Sequence, residues 1–350
     1  MPSVVRFAAE PKVPLAGTGL LFEPEAFDEQ VLGLMTEAVS EAMSLDSTPK
    51  ALFLSGGLDS SVIACLARSG RPRAFVLYDS ADLEDRAMAA KVARELAIEL
   101  SEVAIDAEQL ARDIVHYAWH FEYPIVGGAF DLLGGVAFHA VARRIARDHL
   151  VALAGEGGDE IFLGYHRIHM DPQLAASEIR QRATEAGTPA VQDWVQKNLP
   201  GDESVDARSL RLLALTAGAS EYHMASVYYT GVAFGLECRS PYLSQHLVSL
   251  LAQTDENAMI DRKDKWTKVP LRRIARKIMA PYELSRVCER RKLAMPSSVQ
   301  VVQRELYRRV GGSIGLERVL DRLYRQFHLE DGPDVCPDLN LVDLASRARG

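Results

Sequence analysis

Two glycine-rich stretches hold the residues best suited to chemistry. The first begins where the apolar run Ala51-Leu52-Phe53-Leu54 ends. It reads Ser55-Gly56-Gly57-Leu58-Asp59-Ser60-Ser61 and passes into a helical run at 62–67. A strand ending in small residues that open a helix gathers unpaired backbone N–H groups, a positive dipole end and hydroxyls around one point, which suits a phosphate group. The stretch is not of the Walker type, because no Gly-Lys-Ser/Thr follows and the loop holds no lysine. It offers serines and one carboxylate, Asp59, which makes sense if magnesium supplies positive charge between carboxylate and phosphates. The group set free would then be pyrophosphate. The same residues also suit a tight strand-to-helix turn with Ser and Asp as caps, a purely structural use.

The second stretch follows the apolar run Val151-Ala152-Leu153-Ala154 and reads Gly155-Glu156-Gly157-Gly158-Asp159-Glu160-Ile161-Phe162-Leu163-Gly164-Tyr165. Ligands of open α/β sheets bind outside the carboxyl ends of strands. Gly155, Gly157 and Gly158 let backbone approach a ligand closely. The crowded acids Glu156, Asp159 and Glu160 repel one another unless a cation or protons compensate. Glu160 serves equally as a ligand or as the acid of a helix start.

Such loops need a scaffold that brings strand ends together. Apolar runs at 51–54, 74–78, 100–105 and 150–154 alternate with helical periodicity. The expected fold class is therefore α/β, a mostly parallel sheet with flanking helices. A crossover helix is read at 82–96, where Ala89, Val92, Ala93 and Leu96 recur at helical spacing, and an amphipathic helix at 28–43 precedes the first strand. After about Tyr165 the apparent strands stop, and 208–234, 243–252 and 266–279 read as helices. The expected organisation is an extension and helix at 1–48, an α/β core at 49–182, a mainly helical part at 183–328 and a tail at 329–350, with the boundary in the polar, Gly/Pro-bearing stretch 183–204.

Composition narrows the partners. A chain of 350 residues, 48% hydrophobic, buries a full core, and a net charge of −8 argues against surfaces built for nucleic-acid phosphates or anionic lipid. Cys65, Cys238, Cys288 and Cys336 are far apart without zinc spacing and read as free thiols of a reducing compartment. The first residues lack a signal-peptide layout and no apolar run reaches bilayer length, so the expected location is cytoplasmic.

Together and in this order, the two glycine-rich stretches resemble a known family. Ser55-Gly56-Gly57-Leu58-Asp59-Ser60 resembles the pyrophosphate loop of the N-type ATP pyrophosphatases, with their adenine nucleotide α-hydrolase-like fold. Gly155-Glu156-Gly157-Gly158-Asp159-Glu160 resembles the companion motif of asparagine synthetases, a relationship that also covers β-lactam synthetases and lasso-peptide cyclases. Gly235-Leu236-Glu237-Cys238-Arg239-Ser240-Pro241-Tyr242-Leu243 is similar to the family's G-x-E-x-R-x-P-[FY]-L segment. Lys268-Val269-Pro270-Leu271-Arg272 and Arg290-Arg291-Lys292 are similar to its K-x-x-L-R and R-x-K pair, and the resemblance spans roughly residues 30–300.

The resemblance implies an ATP-dependent carbon–nitrogen ligase. A carboxylate is adenylated with release of pyrophosphate, and the acyl group passes to an amine or ammonia with release of AMP. ATP and Mg2+ are the implied cofactors, with Ser55, Gly56, Gly57, Asp59, Ser60, Ser61, Val76, Gly155 and Gly157 as ATP contacts. Asp59 and Asp159 are the implied metal ligands, which requires the two loops to meet in space. Glu156 is the implied base; the matching position is Glu in asparagine synthetases and Tyr in β-lactam synthetases. Lys268 and Lys292 are the implied catalytic cations, the latter also for the oxyanion and departing phosphate. The implied partners are a small-molecule or peptide carboxylate and an amine or ammonia, with a separate ammonia-supplying or substrate-carrying protein as a further option.

Departures from the family pattern bear on substrate. Ser244 stands where asparagine synthetases have Asp, and Phe121-Glu122-Tyr123-Pro124 replaces a D-E-P-like segment. The chain has no room for an amino-terminal glutaminase domain, and Pro2 replaces its cysteine nucleophile, so glutamine hydrolysis is not expected. Intramolecular amide cyclisation and a catalytically inactive nucleotide-binding homologue stay open beside the main reading. Among lesser features, Glu237 and Arg239 read as a structural ion pair, Glu221 as a weak supporting acid, and His166 and His169 as residues nothing assigns. The His116/His120 pair has metal-compatible spacing but no third ligand of a recognised pattern.

Overall fold

The computed structural model describes residues 23–44, 47–79, 84–120, 128–165, 230–290 and 300–329, with isolated positions between 177 and 196 and between 339 and 345. Two compact units emerge. One comprises Ala42–Ala154, Ala225–Arg239 and Met279–Gly350, the other Met1–Glu41, Gly155–Met224 and Ser240–Ile278.

The first unit is built on a five-stranded sheet of order β3-β2-β1-β4-β5, with β1 at Lys50–Phe53, β2 at Arg73–Tyr78, β3 at Leu100–Ala104, β4 at Val151–Leu153 and β5 at Glu237–Arg239. Every neighbouring pair is parallel. The central strand β1 is buried at all four residues, as expected of a parallel strand covered on both faces. The chain lays β2 and then β3 on one side of β1 and returns to place β4 and β5 on the other. Winding therefore reverses between β1 and β4, the switch point at which such sheets bind ligands.

The helices of this unit are α2 (Leu58–Ala67), α3 (Glu84–Glu95), α4 (Ala107–His120), α5 (Gly128–Ile145), and further on α9 (Ser285–Glu289), α10 (Gln300–Val310) and α11 (Gly312–Tyr324). Leu110, Ile114 and Ala118 of α4, Ala137 and Val141 of α5, Leu306 of α10 and Leu316 and Leu320 of α11 share one core with Phe53 and Phe75 of the sheet. These follow i, i+3/i+4 spacing, which gives each helix one apolar stripe to bury.

The second unit holds most of α1 (Pro24–Ser44), the single turn α6 (Gly158–Ile161), α7 (Gln245–Gln253) and most of α8 (Val269–Met279). Phe27, Val31, Met35 and Ala38 bury one face of α1, and Leu271, Ile274 and Ala275 bury one face of α8. A bidentate contact at 2.6 and 2.7 Å joins Arg273 of α8 to Asp28 of α1.

The expected strands are present within a residue or two of their bounds, and the chain is otherwise largely helical among its described residues. The expectation that strands stop after Tyr165 is overturned by β5, which pairs with β4 through Glu237, Cys238 and Arg239. Three residues, two of them charged, leave no apolar run to signal an edge strand. Among the described residues, no helix is long and apolar enough to cross a membrane. Cys65, Cys238 and Cys288 are buried free thiols. The stretches 1–22, 121–124 and 183–195, Lys292, Glu221, His166, His169, Cys336 and nearly all of the expected helix at 208–234 lie outside the described residues.

Candidate active site

β1, β4 and β5 are adjacent and parallel, so their carboxyl ends share one edge of the sheet. The Ser55 stretch leaves β1 there and is folded on itself. The Ser55 and Ser60 hydroxyls lie 3.1 Å apart, Ser60 Oγ accepts the Ser55 N–H at 3.2 Å, and Gly57 N–H reaches Ser55 Oγ at 3.3 Å. Gly57 is the N-cap of α2 and Asp59 sits in the helix's first turn. The Leu58, Asp59 and Ser60 amides therefore belong to the turn that a helix leaves without internal acceptors. Gly56 adopts φ +74°, and a Cβ there would meet the Ala89 amide nitrogen at 2.6 Å, so only glycine lets this loop lie against α3. Ser61 is fully buried and its hydroxyl finds no hydrogen-bond partner. Val76 is buried within β2, two residues before its end.

In the other unit, Gly157 caps α6 at φ +86°, and a Cβ there would lie 2.6 Å from Leu243 Cδ2. The Ser240 hydroxyl donates to the Glu156 carbonyl, joining the two segments that follow β4 and β5 in the chain. Asp159 Oδ1 meets Lys268 Nζ at 2.7 Å, with the two side chains 13% and 5% exposed. Lys268 holds this position from a backbone at φ +58°, a conformation that non-glycine residues adopt only when their surroundings over-determine it. A Cβ on Gly164 would lie 1.9 Å from Asp159 Oδ1 and 2.1 Å from Lys268 Cε. Glu160 is turned inward, accepting the Tyr165 hydroxyl at 2.5 Å. Burial, then the Glu160 carboxylate, pushes the Tyr165 phenol well above its ordinary range, so it stays a donor.

Ser55, Gly57 and Ser60 are thus brought together in one loop, and Asp159 and Lys268 in one ion pair. Sequence reasoning missed two participants. The residue type of Tyr165 assigns it no role, and Arg290 carries no signal beyond its motif. Arg290 Nη1 donates to the Gly56 carbonyl at 2.9 Å, and its Nη2 donates to Asp85 at 2.5 Å. The Glu237–Arg239 ion pair forms at 2.7 Å.

The donor set fits a magnesium nucleotide. The amides and hydroxyls of the Ser55 loop, including the orphaned Ser61 Oγ, are hydrogen-bond donors of the kind phosphates require. Among the described residues, no group of three or more His, Cys, Asp and Glu could hold a metal. Magnesium on a nucleotide takes one or two carboxylates and completes its shell with phosphate oxygens and water. Asp59, in the first turn of α2 beside those amides and hydroxyls, is a carboxylate of the kind such a shell takes.

Comparison with known families matches residues 30–322 to asparagine synthase. The chain belongs to the asparagine synthase family. It is similar to the glutamine-hydrolyzing asparagine synthetase 1 of Bacillus subtilis (strain 168), 30% identical over 153 residues, which are 43% of this chain and 23% of that protein. A putative glutamine-hydrolyzing asparagine synthetase of Mycobacterium tuberculosis (strain ATCC 25618 / H37Rv) is 32% identical over 148 residues, 41% of this chain and 22% of that protein. The family member described here thus spans under a quarter of the length of these relatives. Among solved structures, the U34-tRNA thiolase NcsA of Methanococcus maripaludis aligns over 96% of this chain and 95% of its own at 13% identity and a TM-score of 0.38, too distant to bear on chemistry.

Proposed function

We propose that this chain is an ATP-dependent ligase that adenylates a carboxylate, releases pyrophosphate and passes the acyl group to an amine or ammonia. The observation that carries the reading is topological. β1 and β4 flank the reversal of winding in the sheet, and each runs directly into one of the two glycine-rich stretches.

In this reading the Ser55, Gly57, Ser60 and Ser61 donors bind the β- and γ-phosphates, and Gly56, Val76, Gly155 and Gly157 shape the nucleotide site with their backbone. Asp59 and Asp159 would hold magnesium, which when bound would neutralise charge on the phosphates. The substrate carboxylate oxygen attacks the α-phosphorus and the bond to the β-phosphate oxygen breaks, with pyrophosphate leaving beside the Lys268 ammonium. The amine nitrogen then attacks the acyl carbon, Glu156 takes the proton it loses, and Lys292 supports the oxyanion and the departing AMP.

Carboxylate-dependent exchange of labelled pyrophosphate into ATP tests the first half-reaction. Wild type exchanges label with its acid, whereas Asp59→Asn and Asp159→Asn lose exchange by about a hundredfold or more, the scale of removing a transition-state electrostatic partner. Glu156→Gln keeps exchange and loses amide product. Mass spectrometry with and without ammonium or glutamine assigns the nitrogen source, and a product of substrate mass less water without added ammonium identifies cyclisation. ATP binding without exchange across a broad acid panel overturns the ligase reading.

A further inference from the structure

Arg290 lies at the end of α9, more than two hundred residues from the Ser55 loop in sequence, yet its guanidinium is wedged against that loop's back. Nη1 donates to the Gly56 carbonyl at 2.9 Å, Nη2 to Asp85 of α3 at 2.5 Å, and Nε lies 3.5 Å from Glu84. The Arg290 side chain is 9% exposed and that of Asp85 15%. A surface arginine pairing opportunistically would be far more open than this.

The Gly56 carbonyl and the Gly57 N–H belong to one planar trans peptide and point in opposite directions. Holding the carbonyl on the Arg290 side therefore holds the amide on the other, where it reaches Ser55 Oγ at 3.3 Å. This peptide lies between two glycines, and Gly56 already sits at φ +74°. Glycine visits both signs of φ at little cost, so backbone sterics alone do not fix the plane, and its local tether is the long 3.3 Å contact with Ser55. A turned plane would direct a carbonyl oxygen, not an N–H, toward the hydroxyls of Ser55 and Ser60, and would repel an anion there. The guanidinium fork, anchored by Asp85, supplies the restraint that the glycines lack.

We propose that Arg290 is a positioning residue that sets the orientation of the Gly56–Gly57 peptide, so that the loop presents an amide donor to a phosphate or pyrophosphate anion. This rests on the reading of the Ser55 loop as a phosphate site. The test is calorimetric titration with magnesium pyrophosphate and with ATP, alongside KM and kcat for ATP in the exchange reaction. Arg290→Ala and Arg290→Lys weaken both ligands about tenfold or more, the scale of one lost charge-assisted hydrogen bond, and raise KM for ATP more than they lower kcat. Lysine keeps the charge beside Asp85 but not the planar fork, so it does not rescue. Glu84→Gln, which changes the neighbouring charge and leaves the Gly56 contact in place, stays within about twofold of wild type. If Arg290→Ala fails to fold, Arg290→Lys decides. Cooperatively folded Arg290 variants that bind within about twofold of wild type overturn the positioning role and leave the ligase reading standing. Wild-type protein that binds neither ligand overturns both.

Discussion

Lys268 reaches Asp159 from a strained backbone, and the contact tolerates no added atom beside it. Gly164 is the residue that leaves the room, since its Cβ would fall 1.9 Å from Asp159 Oδ1 and 2.1 Å from Lys268 Cε. Gly164→Ala must therefore push the carboxylate and ammonium apart. Overpacking of this kind costs about 1–3 kcal/mol, and breaking a nearly buried ion pair adds to it. The expected outcome is a lower unfolding midpoint together with pyrophosphate exchange reduced about tenfold or more. An exchange rate within a factor of two of wild type shows that the pair has no part in the reaction. Asp159 and Lys268 were both legible in the sequence as motif residues. Their pairing was not, because 109 positions separate them and only the folded chain brings them together. The grip of Arg290 on Gly56 was hidden for the same reason, as a carbonyl partner leaves no mark on residue type.

Apolar runs made β1, β2, β3 and β4 readable, since a parallel strand covered on both faces needs little but hydrophobic residues. β5 needs only three ladder residues beside β4, and its Glu237 and Arg239 satisfy each other, so its polarity concealed it. The end of β2 shows a second kind of hidden information. Asp79 is almost fully buried immediately after the strand, and its carboxylate accepts the Val301 N–H at 2.8 Å and that of Val302 at 3.4 Å. A residue that closes a strand thus caps the amino terminus of α10, over two hundred positions later, where a negative charge also opposes the helix dipole favourably. Asp79→Ala leaves the part-buried Val301 and buried Val302 amides without this acceptor and destabilises by about 1–3 kcal/mol in denaturant unfolding. Asp79→Asn keeps a side-chain oxygen and loses less. Equal midpoints for wild type and Asp79→Ala would remove the cap from the account of how α10 is held.

At the scale of the whole molecule, the net charge of −8 argues against surfaces built for nucleic-acid phosphates or anionic lipid, and a histidine cluster between α4 and α5 ties stability to pH. His116 and His120 of α4 meet His139 of α5, with His116 Nδ1 2.7 Å from His139 Nε2 and Phe234 stacked on His116 at 5.4 Å. Burial first, then the His116, His120 and Arg143 charges, holds His139 down at about 2 from its ordinary 6.5, and burial with His116 holds His120 down at about 4. Both groups are depressed by folding, so the stability they confer is complete above 6.5 and drains away as pH falls and the unfolded chain takes up the protons. Asp113, held against Arg143 at 3.3 Å, acts in the opposite sense. Burial raises its carboxyl from 3.8 to about 6, so its contribution is lost as pH rises through 6 and regained on acidification. Below about pH 6, Asp113 thus offsets part of the loss that the histidines bring. Each fully buried histidine contributes a slope of about 1.4 kcal/mol per pH unit. His139→Gln removes that titration while keeping a polar group beside His116, so its unfolding free energy should fall less steeply than that of wild type by about that slope between pH 6 and 4.5. Urea unfolding of both proteins at pH 7, 6 and 5 measures the difference, and parallel curves would mean that His139 does not stay neutral in the folded chain.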